Sequence, residues 1–123
     1  MAERVLLVDD EKAYLLALQD MLQSEGFSVD TAETLNDART NIDGNAYSTV
    51  IADVRLTGTL SAEGLAVLEA AKKANRDTKV IVITGFGSAE IMKAAFLKGA
   101  DYYFEKPVSF KTIMNAIQEQ TVH

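Results

Sequence analysis

Acidic, hydroxyl and amino side chains stand at the ends of four predicted strands. Asp9 and Asp10 follow one apolar run, Asp53 follows another, Thr84 closes a third and Lys106 comes just after a fourth. A single aspartate at a strand end is often only a turn residue. Open α/β sheets, however, bind ligands at the carboxyl ends of their strands, so these groups on one edge indicate a site.

The aspartates are suited to binding a divalent cation. Carboxylates brought close together repel one another unless a cation lies among them. Mg²⁺ is the predicted ion, because it binds a few carboxylates and fills its other positions with water or phosphate oxygens. Asp10 and Asp53 are predicted as direct ligands, with Asp9 binding directly or through water. The backbone carbonyl of Arg55 could supply a further oxygen.

The other polar groups suit phosphate chemistry. Lys106 could neutralise one phosphoryl oxygen, and the Thr84 hydroxyl could donate a hydrogen bond to another. Positioning and charge neutralisation are most of what phosphoryl transfer requires of a protein. Asp53 could itself be the nucleophile and form an aspartyl-phosphate.

Apolar runs alternate with stretches of helical periodicity along the chain. Strands are predicted over 4–8, 27–31, 47–53, 78–84 and 101–105. Helices are predicted over 12–25, from a Thr34 cap to Gly44, from about Ser61 to Ala74, from a Ser88 cap to Gly99, and after a Ser109 cap. This strict alternation predicts right-handed crossovers and a parallel sheet covered on both faces, with all strand ends at one edge.

Length and composition narrow the class of protein. A chain of 123 residues is predicted to form a single domain, residues 1–123, and the absence of cysteine excludes disulfides and thiol catalysis. The net charge of −6 argues against nucleic acid as a direct partner. Because no leader or membrane-length apolar run is present, we expect a soluble, cytoplasmic protein without membrane contact.

These motifs together resemble the response-regulator receiver domain of two-component signalling, from Val5 to about Glu119. The matching features are Asp9-Asp10-Glu11 after an apolar strand, Asp53, Thr84-Gly85, Gly99-Ala100-Asp101, and Tyr103 three residues before Lys106-Pro107. The resemblance implies a flavodoxin-like, doubly wound (βα)5 fold with a five-stranded parallel sheet in the order 2-1-3-4-5. In that family the Lys-Pro bond is commonly cis, which Pro107 permits.

The resemblance also implies roles for the site residues. Asp53 would be the phosphoacceptor, Asp9 and Asp10 the acidic Mg²⁺ pocket, Thr84 and Lys106 the phosphoryl contacts, and Tyr103 the switch aromatic that moves with Thr84. The phosphoryl donor would be a sensor histidine kinase or a histidine phosphotransfer protein. Apart from its own phosphorylation and dephosphorylation, the domain would catalyse nothing.

The same resemblance implies a signalling surface built from the fourth helix, fifth strand and fifth helix. Ile91, Lys98, Tyr103 and Lys111 lie in or beside it and are candidate partner contacts. The partner would be a downstream protein or an output domain, and a phosphorylation-dependent homodimer is left open. No output region follows the last predicted helix, so both a stand-alone receiver and a receiver cut from a longer regulator remain open.

The sequence departs from the family pattern after Asp53. Leu56 is followed by Thr57 instead of proline, and the glycine that opens the third helix comes late, at Gly64. We infer an insertion of about three residues in this loop. Arg55 and Phe86 are bulky residues two places after Asp53 and Thr84, and we predict that they tune the lifetime of the phosphoryl group.

Other readings of the same residues are open. Asp9 and Asp10 could merely cap the first helix. A degenerate receiver could act as a phosphorylation-independent docking or dimerisation module. A metal-dependent phosphohydrolase is less favoured, because Arg55 occupies the position of its second acid. A flavodoxin is disfavoured because the acidic run that begins at Asp9 would repel a phosphate.

Overall fold

The computed structural model describes residues 3–54, 63–85 and 87–119. Within them strands and helices alternate strictly, as the sequence predicted. The strands are β1 (Arg4–Val8), β2 (Ser28–Ala32), β3 (Thr49–Ala52), β4 (Lys79–Thr84) and β5 (Tyr102–Glu105). The helices are α1 (Lys12–Ser24), α2 (Leu35–Gly44), α3 (Glu63–Ala74), α4 (Ala89–Leu97) and α5 (Phe110–Gln118).

All neighbouring strands pair in parallel, in the order β2-β1-β3-β4-β5. This confirms the doubly wound, five-stranded flavodoxin-like sheet. The order places β1 beside β3, so the residues that follow these two strands meet at one point of the sheet edge. That point is the topological switch, where open α/β sheets bind their ligands.

Helices cover both faces of the sheet. Because successive strand residues point to opposite sides, each strand contributes to both cores. Val5 and Leu7 of β1 pack with α1 and α5 residues such as Leu18 and Ile113. Leu6 and Val8 pack on the other face, in a cluster that includes residues of α2 and α3. Continuous apolar strands are what a sheet covered on both sides requires. No helix in the described ranges is both long and apolar enough to cross a membrane.

Three helices begin at the side-chain caps that the sequence predicted. The side-chain oxygens of Thr34, Ser88 and Ser109 each accept a backbone N–H hydrogen bond from three residues further on, at 3.1 Å. Helix α1 is different, because its N-cap is Glu11, whose side chain makes no capping hydrogen bond. Asp9 Oδ1 accepts a hydrogen bond from the N–H of Glu11 at 2.9 Å just before the helix begins, so the capping alternative stays open.

Two helix-to-strand turns and the bond after Lys106 also match expectation. Gly26 and Gly99 follow α1 and α4 with φ values of +96° and +111°, where side-chain-bearing residues are strained. The Lys106–Pro107 peptide bond is cis, as the resemblance allowed.

Candidate functional site

The Lys106 ammonium lies between two buried carboxylates at the sheet edge. Its Nζ is 2.7 Å from Asp9 Oδ2 and 3.2 Å from Asp53 Oδ2. The two aspartate side chains are 5% and 4% exposed, and the lysine side chain is 18% exposed. Glu11 approaches the same ammonium at 3.8 Å from the solvent side. The structure thus brings together three of the residues predicted for the site.

Backbone hydrogen bonds fix these residues where their strands end. The Asp9 N–H donates to the Ala32 carbonyl at 3.1 Å, and the Asp53 N–H donates to the Val8 carbonyl at 2.9 Å. At the same edge, between β4 and β5, the Lys106 N–H donates to the Thr84 carbonyl at 2.9 Å. Each strand ladder therefore continues one residue beyond its strand, and the side chains that follow are held at the edge.

Burial sets the protonation behaviour of this cluster. Desolvation raises the pKa of Asp9 above its ordinary value of 3.8, against the opposing hydrogen bond from Lys106. Burial alone would lower the pKa of Lys106, yet the hydrogen bond and charge of Asp9 and the charge of Asp53 raise it. Among the described residues, three carboxylates lie around the one ammonium of Lys106, and such an excess of negative charge favours an additional cation.

The donor chemistry of this edge fits Mg²⁺. Its acidic groups are oxygen ligands, and Asp10, half-buried, directly follows Asp9. Among the described residues, however, no three acidic, imidazole or thiol side chains form a ready metal-binding group. The predicted carbonyl ligand, Arg55, lies outside the described residues, so the metal assignment rests on Asp9, Asp10 and Asp53 and stays a prediction.

The two predicted switch residues lie on adjacent strands. Thr84 is fully buried at the end of β4, and Tyr103 of β5 pairs with Val82, two residues back from the edge. The Tyr103 hydroxyl is buried and faces Gly87, where an added Cβ would collide with it. The Tyr103 ring lies 6.5 Å from the Phe96 ring. Burial, followed by the charge of Glu105, raises the pKa of Tyr103.

The candidate partner contacts differ in their surroundings. Ile91 is half-buried on α4, and Lys111 is exposed on α5. Lys98 is exposed just after α4 and forms an ion pair with Glu69 of α3. A partner that binds Lys98 would therefore have to replace Glu69. The structure leaves the role of each of these contacts as a prediction.

Gly64, in the first turn of α3, contacts the backbone of Asp53 and Val54. Its N–H donates to the Val54 carbonyl at 2.8 Å, and an added Cβ would overlap the carbonyl oxygen of Asp53. The late glycine of the sequence therefore packs directly on the backbone of the predicted phosphoacceptor. The inferred insertion, like the lifetime assignments of Arg55 and Phe86, lies outside the described residues.

The sequence analysis did not identify one aromatic residue at the site. Tyr14, in the first turn of α1, places its ring centroid 4.3 Å from Lys106 Nζ. The available signal was its position, because Tyr14 lies four places after Asp10 in the first turn of a helix that starts at the sheet edge. Spacing alone could not say which way the ring turns.

Comparison with known proteins places the chain in a family. The photosynthetic apparatus regulatory protein RegA of Rhodobacter capsulatus is 32% identical over 113 residues, which cover 92% of this chain and 60% of RegA. The chain thus spans less than two thirds of this relative. A CheY-like receiver domain protein of Methanospirillum hungatei superposes with a TM-score of 0.88 and 31% identity, covering 95% of this chain and 91% of that one.

A second solved structure carries the modification that the sequence predicted here. It is a response regulator protein of Burkholderia pseudomallei with a phosphorylated aspartic acid, a calcium ion and citrate. It superposes with a TM-score of 0.87 and 25% identity, covering 94% of this chain and 66% of that one. The family model of the response regulator receiver domain matches residues 5–118. The chain therefore belongs to the response regulator receiver domain family.

Proposed function

We propose that this chain is a phosphoacceptor domain whose Asp53 takes a phosphoryl group from a partner's phosphohistidine. The observation that carries the proposal is the pairing of a buried Asp53 carboxylate with the Lys106 ammonium at 3.2 Å. A buried nucleophile with an adjacent cation is what charge-stabilised phosphoryl transfer needs. Membership of the receiver family supports the same role.

The reaction is a displacement at phosphorus. An Asp53 carboxylate oxygen forms a bond to phosphorus as the bond from phosphorus to the donor's histidine nitrogen breaks, and the histidine keeps the electron pair. Lys106 is placed to neutralise charge on the incoming phosphoryl group, while the Thr84 hydroxyl would donate a hydrogen bond to it. Hydrolysis of the acyl phosphate later restores the carboxylate.

Asp9, Asp10, Asp53 and the backbone carbonyl of Arg55 would hold Mg²⁺. When bound, the ion would neutralise charge on the phosphoryl oxygens. The buried Asp9 makes the site selective for cations, because a carboxylate with little solvent needs a positive partner to stay ionised. Lys106 fills that role in the structure described here.

The signal would leave through the face formed by α4, β5 and α5. Movement of Thr84 toward a phosphoryl group would change the space available to Tyr103, whose hydroxyl lies near the start of α4. A local charge change would thereby bias the face between two states. Ile91, Lys98 and Lys111 are the proposed contacts, and a homodimer through this face is one form of output.

The donor partner would be a sensor histidine kinase or a histidine phosphotransfer protein, and the domain would act in the cytoplasm. RegA is a regulatory protein, and the match with this chain covers 60% of the length of RegA. The receiver of this chain would correspondingly act on a downstream protein or an output domain, without binding nucleic acid itself. It would not act as an enzyme on other substrates.

The test is phosphorylation by a small acyl phosphate in the presence of Mg²⁺, followed by intact mass. We expect one phosphoryl adduct on the wild-type chain, none without Mg²⁺ and none on Asp53→Asn. An adduct that persists on Asp53→Asn would contradict the assignment of the acceptor. Absence of any adduct, also with a panel of histidine kinases, would favour the phosphorylation-independent docking module.

A further inference from the structure

Tyr14 is the one aromatic ring, among the described residues, that faces the site's ammonium. Its centroid lies 4.3 Å from Lys106 Nζ, well inside the distance of about 6 Å at which a cation and a ring face attract. Because Lys106 is only 18% exposed, water competes weakly for this ammonium. The attraction is therefore stronger than it would be on an open surface.

The ring adds a contact of a different kind from those of the carboxylates. Asp9 and Asp53 draw the ammonium toward the sheet edge by charge and hydrogen bonds. Tyr14 also packs against the cluster of apolar residues between the sheet, α1 and α5. A ring anchored in the core thus restricts where a long and otherwise flexible lysine side chain can place its charge.

The contact of Tyr14 with Lys106 depends on the ring of Tyr14 and not on its hydroxyl. The hydroxyl is buried and has no hydrogen-bond partner among the described residues, whereas buried hydroxyls normally have one. Phenylalanine would keep the ring and remove an unsatisfied group. Leucine would fill much of the same space and remove the ring face. The two substitutions therefore separate the effect of the ring from packing.

We propose that Tyr14 is a positioning residue for phosphoryl transfer, holding the Lys106 ammonium in line with the Asp53 carboxylate. The inference rests on the proposed function, because it assigns Lys106 to the phosphoryl group. The proposal assigns Tyr14 no contact with the phosphoryl group or the metal, only with Lys106. Its contribution is to keep the charge in place when the phosphoryl group draws Lys106 away from Asp9.

The test compares Tyr14→Phe and Tyr14→Leu with the wild-type chain in the acyl phosphate reaction. Tyr14→Leu is expected to lower the rate constant at saturating acyl phosphate roughly tenfold, the scale of a desolvated cation–π contact. Tyr14→Phe is expected to stay within about twofold of the wild type, because the ring remains. Tyr14→Met serves as a second ring-free variant if Tyr14→Leu folds poorly, as judged by thermal unfolding.

Two further readouts separate positioning from a merely structural role. The Mg²⁺ dissociation constant should change by no more than about twofold in Tyr14→Leu, since a distorted site would weaken metal binding along with the rate. The NMR signals of the Lys106 side-chain methylenes should carry an aromatic ring-current shift in the wild type and in Tyr14→Phe, and lose it in Tyr14→Leu.

The outcomes are distinguishable. Equal rates for Tyr14→Leu and the wild type would overturn the positioning role while leaving the phosphoacceptor assignment intact. A loss in Tyr14→Phe as large as in Tyr14→Leu would also overturn it, because the hydroxyl would then be the active part. A wild-type chain that takes up no phosphoryl group, either from the acyl phosphate or from a panel of histidine kinases, would overturn the proposed function and this inference with it.

Discussion

At Asp9, function and stability have opposite requirements. The predicted metal site needs a charged carboxylate, whereas burial of that charge destabilises the folded protein. The Asp9 carboxylate is buried beside that of Asp53, and burial raises its pKa despite the bond from Lys106. The folded state therefore binds the Asp9 proton more tightly than the unfolded chain does. By linkage, stability falls as pH rises from the ordinary value of 3.8 through the folded pKa, and the cost is complete above it.

Asp9→Asn is accordingly expected to stabilise the metal-free protein. The amide keeps an oxygen for the N–H of Glu11, which Asp9 Oδ1 accepts at 2.9 Å, and removes the buried charge. We expect a gain of about 1 kcal/mol in the free energy of unfolding at pH 7. Urea denaturation without Mg²⁺ at several pH values measures it. The gain should shrink as pH falls toward 4, and a gain that grows instead would contradict the sign of the pKa shift.

Gly64 gives a second prediction, about the backbone of the acceptor. In Gly64→Ala the new Cβ would overlap the Asp53 carbonyl oxygen, so the backbone at the acceptor would have to move. A loss of roughly 1–3 kcal/mol in the free energy of unfolding is expected, as for other overpacked sites. The matched control is Gly44→Ala at the end of α2, where an added Cβ meets no atom within 4 Å.

Gly44→Ala should be neutral or stabilising by up to about 1 kcal/mol, the helix preference of alanine over glycine. Both variants are compared by thermal and urea unfolding. Equal effects of the two substitutions would show that the close approach of Gly64 to Asp53 does not limit this position.

At the residue scale, the sequence was sufficient to predict which polar groups meet at the site, but not which other side chains and backbone atoms contact them. Asp9, Asp53 and Lys106 could be placed together because each follows an apolar run and parallel strands end at one edge. The ring of Tyr14 could not, since its contact with Lys106 depends on a side-chain rotamer and not on a repeat. Nor could Gly64 be recognised as a contact of Asp53, because a loop of unknown path separates them in sequence.

At the scale of elements, hydrogen bonds from a lysine of β4 hold the C-terminal end of α5 against the sheet. Lys79, at the start of β4, donates from Nζ to the carbonyls of Ala116 at 2.7 Å and Ile117 at 3.0 Å, and also to that of Glu119. The last carbonyls of a helix have no partner within it, so an ammonium there satisfies them and complements the helix dipole.

Lys79→Met should therefore loosen the end of α5 more than the rest of the protein. A loss of about 1.5–3 kcal/mol in the free energy of unfolding is expected, the usual range for hydrogen bonds to a charged group. Urea denaturation gives the global change, and amide hydrogen exchange should show faster exchange near Ala116 and Ile117. Lys111→Met, an exposed position on the same helix, is the control. Unchanged exchange in Lys79→Met would show that packing alone holds this end.

The elements themselves were predictable for a physical reason. Buried parallel strands are continuous apolar runs, and helices carry caps and stops, so Ser88 and Gly99 bounded α4 correctly. Strand order was different: alternation implies a parallel sheet but not its order, which came only from the family resemblance and which the sheet confirms. The Lys79 anchor went unseen because nothing in the local pattern of β4 points to α5.

At the scale of the whole molecule, charge is distributed unevenly. The net charge is −6, and several of the carboxylates lie at the edge where β1 and β3 end. Folding brings these like charges together, and their repulsion destabilises the folded state. A cation bound among them offsets this repulsion and so stabilises the folded state. Mg²⁺ binding and global stability should consequently be linked, and the linkage can be measured without any phosphoryl donor.

Mg²⁺ is expected to raise the free energy of unfolding by about 1.4 kcal/mol at ten times its dissociation constant, as for any ligand that binds one site of the folded state only. Thermal or urea unfolding is measured against added Mg²⁺ at constant ionic strength, because general screening of the acidic surface must be held fixed. The matched variant is Asp9→Asn/Asp10→Asn, which should start more stable and gain little. Equal gains in both proteins would place the ion elsewhere on the surface and remove Asp9 and Asp10 from the metal site.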